Sequence, residues 1–328
     1  MSLDGNALDR ETRYRDDVVT YAGVVGENID VTSRDPSNYV TAMAGPAPGA
    51  AADDAVLLDG KLFVPDGASG ATVIVIPGSL GVGPNHEHHA ETLVGAGFVV
   101  FVLDPFGARS VTSTVANQVQ FSFAASAFDV LAAASVLAER PEVDGARIAA
   151  QGHSRGGAAV TIASSRHFAD AVLGDGPRLA AAYAVYPWCG HQFLDADIGS
   201  TRLRAIIGER DEWCSVQEAQ SQVAALRAGG ADASIRIVGG AHHSFDRLEP
   251  VSFMEEARVC PNMPTTYLAD DGAMIDPVVG EPDAALTDLD LFLAAIERGF
   301  GQKGAHIGGE GDQPAVFEAD MLAFHARL

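Results

Sequence analysis

The stretch Ala149-Ala150-Gln151-Gly152-His153-Ser154-Arg155-Gly156-Gly157-Ala158 decides the fold. An apolar, strand-like run enters Gly-x-Ser-x-Gly and continues directly into an Ala-rich, helix-like run. A serine held on so tight a strand-to-helix turn adopts a strained backbone, and the residues two before and two after it must be tiny for the flanking backbones to approach. Gly152 and Gly156 meet that need, so the Ser154 hydroxyl is expected above the sheet. The helix beginning near Arg155 offers free N–H groups and the positive end of its dipole, which makes the Arg155 N–H an expected oxyanion donor. In a chain with 35 glycines the pentapeptide can arise by chance. The strand–turn–helix setting is what makes Ser154 a candidate nucleophile.

Outward from this elbow, short β-branched runs alternate with helical stretches. Strands are predicted at 56–64, 72–76, 98–103, 147–151, 181–186, 204–207 and 234–238. Helices are predicted at 86–96, 121–139, 155–168, 215–228, 284–298 and 315–326. Near-continuous apolar strands separated by helices specify an α/β class, with a mostly parallel central sheet covered by helices on both faces. One domain is expected over 56–328. Residues 1–55, with Pro36, Pro46 and Pro48 and no long periodic segment, read as an N-terminal arm or cap. The Pro-rich, acidic segment 250–282 reads as a long excursion of the kind that often covers a site.

A nucleophilic serine needs a base, and the base an orienting acid. In sheets with this elbow they follow in the order serine, acid, histidine, on loops beyond later strands. After the strand at 204–207 come Gly208-Glu209-Arg210-Asp211-Glu212, in which Asp211 is best placed and Glu209 and Glu212 are competitors. After the strand at 234–238 comes Gly239-Gly240-Ala241-His242-His243-Ser244-Phe245. Adjacent residues on an extended chain point opposite ways, so only one of the two histidines can face Ser154, and position alone does not choose.

Bulk properties narrow the function. The formal charge is −23 over 328 residues, which argues against nucleic acid and anionic membrane surfaces as partners, because both demand a cationic face. No apolar run approaches a membrane span, and residues 1–17 are polar and acidic rather than signal-like, so a cytoplasmic location is expected. Three cysteines, Cys189, Cys214 and Cys260, are too few and scattered for a disulfide framework or zinc site. Cys189 and Cys214 each follow a Trp near a predicted strand end and could lie close together.

The ordered set of stations resembles the dienelactone hydrolase family of the α/β-hydrolase superfamily. The residues that carry the resemblance are Val73-Ile74-Val75-Ile76-Pro77-Gly78-Ser79-Leu80-Gly81, Gly97-Phe98-Val99-Val100 through Leu103-Asp104, Gly152-His153-Ser154-Arg155-Gly156, Gly208-Glu209-Arg210-Asp211 and His243-Ser244-Phe245-Asp246. The resemblance implies attack on an ester or lactone carbonyl with no metal and no cofactor. It implies a second oxyanion donor at the Ser79 N–H. It also selects His243 over His242, through the pattern of histidine, small residue, Phe and Asp. Family members that open dienelactones use cysteine where this chain has Ser154, which points away from that substrate while leaving acyl transfer intact.

Other residues suggest lining roles. Arg109, His86 and His191 follow predicted strand ends or the oxyanion loop, where ligands of open α/β sheets bind, and together with Arg155 could recognise a carboxylate-bearing ester. His86-Glu87-His88-His89 lacks the spacing of a metalloprotease motif and has no completing ligand pattern nearby. Leu289, Leu291, Phe292, Ala295 and Ile296, then Phe317, Met321 and Phe324, recur at helical spacing and read as core packing or a homodimer contact. The expected function is a serine esterase acting on a small-molecule ester or lactone through Ser154, His243 and Asp211. Peptide or thioester hydrolysis, acyl transfer and a non-catalytic binding protein are the alternatives.

Overall fold

The computed structural model describes residues 13–328; the first twelve residues of the expected arm lie outside the described residues. Eight strands build one sheet: β1 (Glu27–Arg34), β2 (Ala55–Phe63), β3 (Thr72–Ile76), β4 (Val99–Asp104), β5 (Ile148–His153), β6 (Ala181–Val185), β7 (Arg202–Gly208) and β8 (Ala233–Val238). Their order across the sheet is β1-β2-β4-β3-β5-β6-β7-β8. Within it β2 pairs antiparallel with both neighbours, while β4, β3, β5, β6, β7 and β8 run parallel. Parallel neighbours need crossovers, which place helices on both faces.

The central strands are apolar on both sides because both sides are covered. Along β3, Ile74 and Ile76 enter one core layer and Val73 and Val75 the other. The first layer packs against α3 (Phe123–Ala138), α4 (Arg155–Ser164) and α5 (Arg166–Leu173), through Phe128, Leu131, Ile162 and Phe168. The second packs against α2 (Pro84–Gly95) and α8 (Gln313–His325), through Leu93, Val94, Phe317 and Met321. Each of these fully buried side chains contributes roughly 1.5–3 kcal/mol relative to exposure. The remaining helices are α1 (Tyr39–Ala44), α6 (Val216–Ala228) and α7 (Asp288–Glu297). None of the described helices is long and apolar enough to cross a membrane.

Three elements depart from the sequence expectation. The segment read as an arm supplies β1, paired with β2 over eight residues. Its exposed residues, Glu27, Asn28 and Asp30, are polar or charged, with Ile29 and Val31 turned inward, so an edge strand hides among polar residues. Asn38 then ties the segment to the far end of the chain, its amide donating to the carbonyls of Ala284 and Leu286 at 3.0 Å each. The single helix expected at 155–168 breaks at Ser165, which is extended, and the Arg166 N–H turns to the Asp197 carbonyl at 2.8 Å. The excursion 250–282 is itself built of strands: Ser252–Val259 pairs with Gln302–Ile307, and Thr266–Leu268 pairs with His191–Phe193 and Met274–Ile275.

Candidate active site

Ser154 lies between β5 and α4 with φ 54° and ψ −110°. For a residue with a Cβ this is a strained conformation, of the kind retained at functional positions. The glycines show why it is tolerated. A Cβ on Gly152 would run into the carbonyl of Gly156, and one on Gly156 would sit 2.6 Å from the Pro77 carbonyl oxygen. The Ser154 N–H is anchored to the Val185 carbonyl at 2.8 Å. The loop after β3 presses on the same turn, since a Cβ on Gly78 would lie 3.2 Å from both the His153 carbonyl and Ser154 Cβ. Ser79 and Arg155 therefore flank Ser154 on one cavity wall.

The loops after β7 and β8 bring the expected partners. His243 Nε2 lies 3.0 Å from Ser154 Oγ, and His243 Nδ1 lies 2.8 Å from Asp211 Oδ2. The other Asp211 oxygen accepts the Trp213 and Cys214 N–H groups at 2.8 and 2.9 Å. An ionised Asp211 can only accept, so Nδ1 carries a proton and Nε2 is left to accept from the serine hydroxyl. His243 is buried, stacked on Trp213 at 5.2 Å and 17° and set against Tyr186 at 4.5 Å. The competing acids are engaged elsewhere: Glu209 with the Gly240 N–H, and Glu212 with both the N–H and the ring of His306. His242 turns away, its ring 5.2 Å from that of His306.

A cavity of about 340 Å³ opens over Ser154. Phe123, Trp188, Trp213, Met263, Leu291 and Phe292 supply much of its wall. Residues of the excursion and of α7 contribute here, so the stripe of Leu291, Phe292, Ala295 and Ile296 faces the cavity, which core or dimer packing alone had not anticipated. His191 also lines it, its Nδ1 3.1 Å from the Tyr39 hydroxyl. Burial pushes His191 below its ordinary value, and it pushes Glu218, on the same wall, up to about 7.

Two arginines need correcting as binding groups. Arg109 is not at the site: it forms a two-pronged pair with Asp129 at 2.8 and 3.0 Å, and its Nε donates to Asp35 at 3.0 Å. The buried Asp129 carboxylate had first claim on it, being costly to leave unpaired. Arg155 lies at the cavity, but its guanidinium donates to the carbonyls of Gln118, Phe121 and Ser122 and sits over the Phe121 and Phe123 rings. Burial draws it down to about 10, and it stays cationic without a free face.

His86 is not at the cavity mouth. It sits behind the elbow in a buried group with His89, His153 and Asp246. His89 Nε2 is 2.8 Å from Asp246 Oδ2, the His89 and His153 rings stack at 5.4 Å, and the His86 ring meets His153 edge-on at 4.7 Å. Burial pushes His86 down to about 3, with the Arg247 charge reinforcing it, and pushes His153 well below its ordinary value. Burial opposes the charge of Asp246, but hydrogen bonds from His89 and Asn85 outweigh it and hold the carboxyl far below the usual range. His153 extends this network, with Nδ1 3.0 Å from the Tyr186 hydroxyl and Nε2 3.2 Å from Gln151, whose oxygen lies 3.0 Å from His325.

Among the described residues, ligand-type side chains converge in two groups, His89–His153–Asp246 and Asp211–Cys214–His243, with ligand atoms within 4.8 Å of one another. Asp246, Asp211, His89 and His243 in these groups hold hydrogen bonds to each other or to neighbours. Sequence reading missed Asp246 as the carboxylate that meets His89, because 157 positions separate them. It also missed Cys214 as a neighbour of Asp211. Burial raises the Cys214 thiol well above its ordinary value, and Asp211 and Cys189 add to the effect.

An open sheet of this order, with a serine on the strained turn after β5 and a histidine after β8, defines an α/β-hydrolase. The chain belongs to the dienelactone hydrolase family, whose model matches residues 58–261, and so stands among hydrolases. No curated protein matches it. Similar solved structures include a dienelactone hydrolase-like promiscuous phosphotriesterase from metagenomic libraries, 18% identical over 67% of this chain and 84% of that one, with TM-score 0.48. A thermophilic esterase of Thermogutta terrifontis is 17% identical over 59% of this chain and 82% of its own, with TM-score 0.44. An esterase of Pyrococcus furiosus is 17% identical over 71% and 90%, with TM-score 0.46.

Proposed function

We propose that the protein is a serine hydrolase that cleaves a small carboxylic ester or lactone through an acyl-enzyme. The observation that carries this reading is the unbroken line from Ser154 Oγ through both ring nitrogens of His243 to Asp211, at 3.0 and 2.8 Å, mounted on a strained turn. His243 Nε2 takes the hydroxyl proton as Ser154 Oγ bonds to the carbonyl carbon, and Asp211 holds the imidazole and stabilises its cationic form. The N–H groups of Arg155 and Ser79 receive the negative oxygen; losing one such donor costs about 10²–10³ in rate. His243 then gives the proton to the departing alkoxide, which stays tethered in a lactone. Water resolves the acyl-enzyme with His243 again as base. The apolar walls support a substrate with an apolar acyl or alcohol part; Arg109 and Arg155 are engaged with protein partners, which leaves Arg258 and Lys303 as the other cations on the cavity lining.

The test combines p-nitrophenyl acetate hydrolysis with fluorophosphonate labelling. Folded protein is expected to hydrolyse the ester and to be labelled at Ser154, with both signals lost in Ser154→Ala. Absence of both in the unaltered protein overturns the reading. Parallel assays on thioesters and amides decide the scissile bond.

A further inference from the structure

Beside the large cavity lies a second pocket of about 20 Å³ that shares Ser79, Ser154 and Trp213 with it and adds His243, Asn85, His86 and Arg247. Its volume suits one water molecule, which needs roughly 10–15 Å³ and two to four polar partners. Three of its lining residues carry a buried polar atom with no protein partner among the described residues: Asn85 Oδ1, His86 Nε2 and Arg247 Nε. All three side chains belong to residues at least nine-tenths buried, at 6%, 2% and 8% exposure. A buried polar group left unsatisfied bears its full desolvation cost, so a water that meets these three atoms is favoured.

Their chemistry is defined by what their other atoms do. Asn85 Nδ2 donates to Asp246 at 2.9 Å, which leaves Oδ1 as an acceptor. His86 Nδ1 accepts the Gly83 N–H at 3.1 Å, so the neutral ring carries its proton on Nε2 and is a donor there. Arg247 Nε is a donor by nature. One acceptor and two donors beside the acceptor nitrogen of His243 match a water that donates to Asn85 and to His243 and accepts from His86 or Arg247. Burial keeps His86 neutral across ordinary pH, because its value falls to about 3.

We propose that this pocket is the site of the hydrolytic water of the second half-reaction, with Asn85, His86 and Arg247 as its positioning residues. The inference rests on the serine hydrolase reading and extends it. His243 Nε2 removes one proton from the water as its oxygen bonds to the acyl carbon. The bond from that carbon to Ser154 Oγ then breaks, and His243 returns the proton to Oγ, releasing the carboxylic acid and free serine. A pocket of one-water size also discriminates among nucleophiles. Water held there stands ready at His243, whereas an alcohol must approach the acyl carbon from the large cavity, which favours hydrolysis of the acyl-enzyme over transfer to alcohols.

The experiment measures two quantities on the full-length protein. One is the rate of fluorophosphonate labelling, which reports the Ser154 nucleophile without deacylation. The other is the ratio of methyl acetate to acetate formed from p-nitrophenyl acetate in the presence of methanol. His86→Ala opens the pocket and removes one donor: the methyl ester share is expected to rise about tenfold, while labelling falls by less than about threefold. Asn85→Ala should act in the same direction, and serves if His86→Ala does not fold. His86→Gln, which keeps a donor, should recover most of the original ratio. Unaltered product ratios in both alanine variants, with normal labelling, overturn the water site and leave the serine hydrolase standing. So does an equal fall in labelling and turnover at a constant ratio. No labelling of the unaltered protein removes the parent reading as well.

Discussion

Ser154 stands between two unlike spaces. On one side is a cavity of about 340 Å³ walled by Phe123, Trp188, Leu291 and Phe292. On the other is a pocket of about 20 Å³ bordered by Asn85, His86 and Arg247 and backed by the His89–Asp246 pair. Apolar contact is non-directional and grows by about 0.8 kcal/mol per methylene buried, so the large side is suited to grading substrates by size. The small side is directional, because a missing hydrogen bond leaves a buried polar atom exposed to its full desolvation cost. Damage on the first should therefore be gradual and substrate-dependent, and damage on the second abrupt and substrate-independent.

The largest effect is expected where the two spaces meet. His243→Ala should lower kcat/KM on p-nitrophenyl acetate by about 10⁴-fold or more, whereas His242→Ala should stay within about threefold. The reverse result would transfer the base to His242 and move the boundary between the two sides.

Acidity should separate them next. His86 and His325 have folded values of about 3 against 6.5, and His153 is lowered too. Between those limits the unfolded chain binds more protons. The stabilisation from His86 and His325 is present above pH 6.5 and is lost as pH falls toward about 3, by up to about tenfold in the folding equilibrium per pH unit for each, and His153 acts in the same direction. Glu218, on the apolar wall, has the opposite sign: raised from 4.5 to about 7, it stabilises fully below 4.5 and loses that contribution as pH rises through 7. Urea midpoints measured from pH 4 to 8 should fall steeply on the acid side, and Glu218→Gln should lift only the alkaline limb. An acid limb as flat as the alkaline one would show that the histidines titrate normally.

The smallest effect concerns the apolar wall. Ala295→Phe should fill part of the cavity and lower kcat/KM for hexanoyl over acetyl esters by about tenfold, leaving acetyl turnover within about threefold. Equal loss on both esters would indicate that the cavity does not hold the acyl chain.

Much of this could be read without coordinates. Central strands such as β3 and β4 were visible because a sheet covered on both faces demands uninterrupted apolar β-branched residues. The elbow was visible because Gly152 and Gly156 answer a backbone constraint that acts over four positions, and no side chain can substitute for their absence of a Cβ. The edge strand β1 was not, since half its residues face water and its pattern resembles a polar loop. The helical stripe on α7 was legible as a stripe, but the space it faces depends on the excursion opposite.

By itself, then, the sequence determined whatever is enforced between near neighbours or along one strand: the parallel sheet, the strained serine, and the loops on which an acid and a base would follow. Only the tertiary structure decided which groups meet. It turned His243 rather than His242 toward Ser154, chose Asp211 by giving Glu209 and Glu212 other partners, spent Arg109 on Asp129, and brought Asn85, His86 and Asp246 together behind the elbow. Hydrogen bonds are short and directional, so partners 32 or 161 positions apart are settled by how loops pack in space and leave no period in the chain.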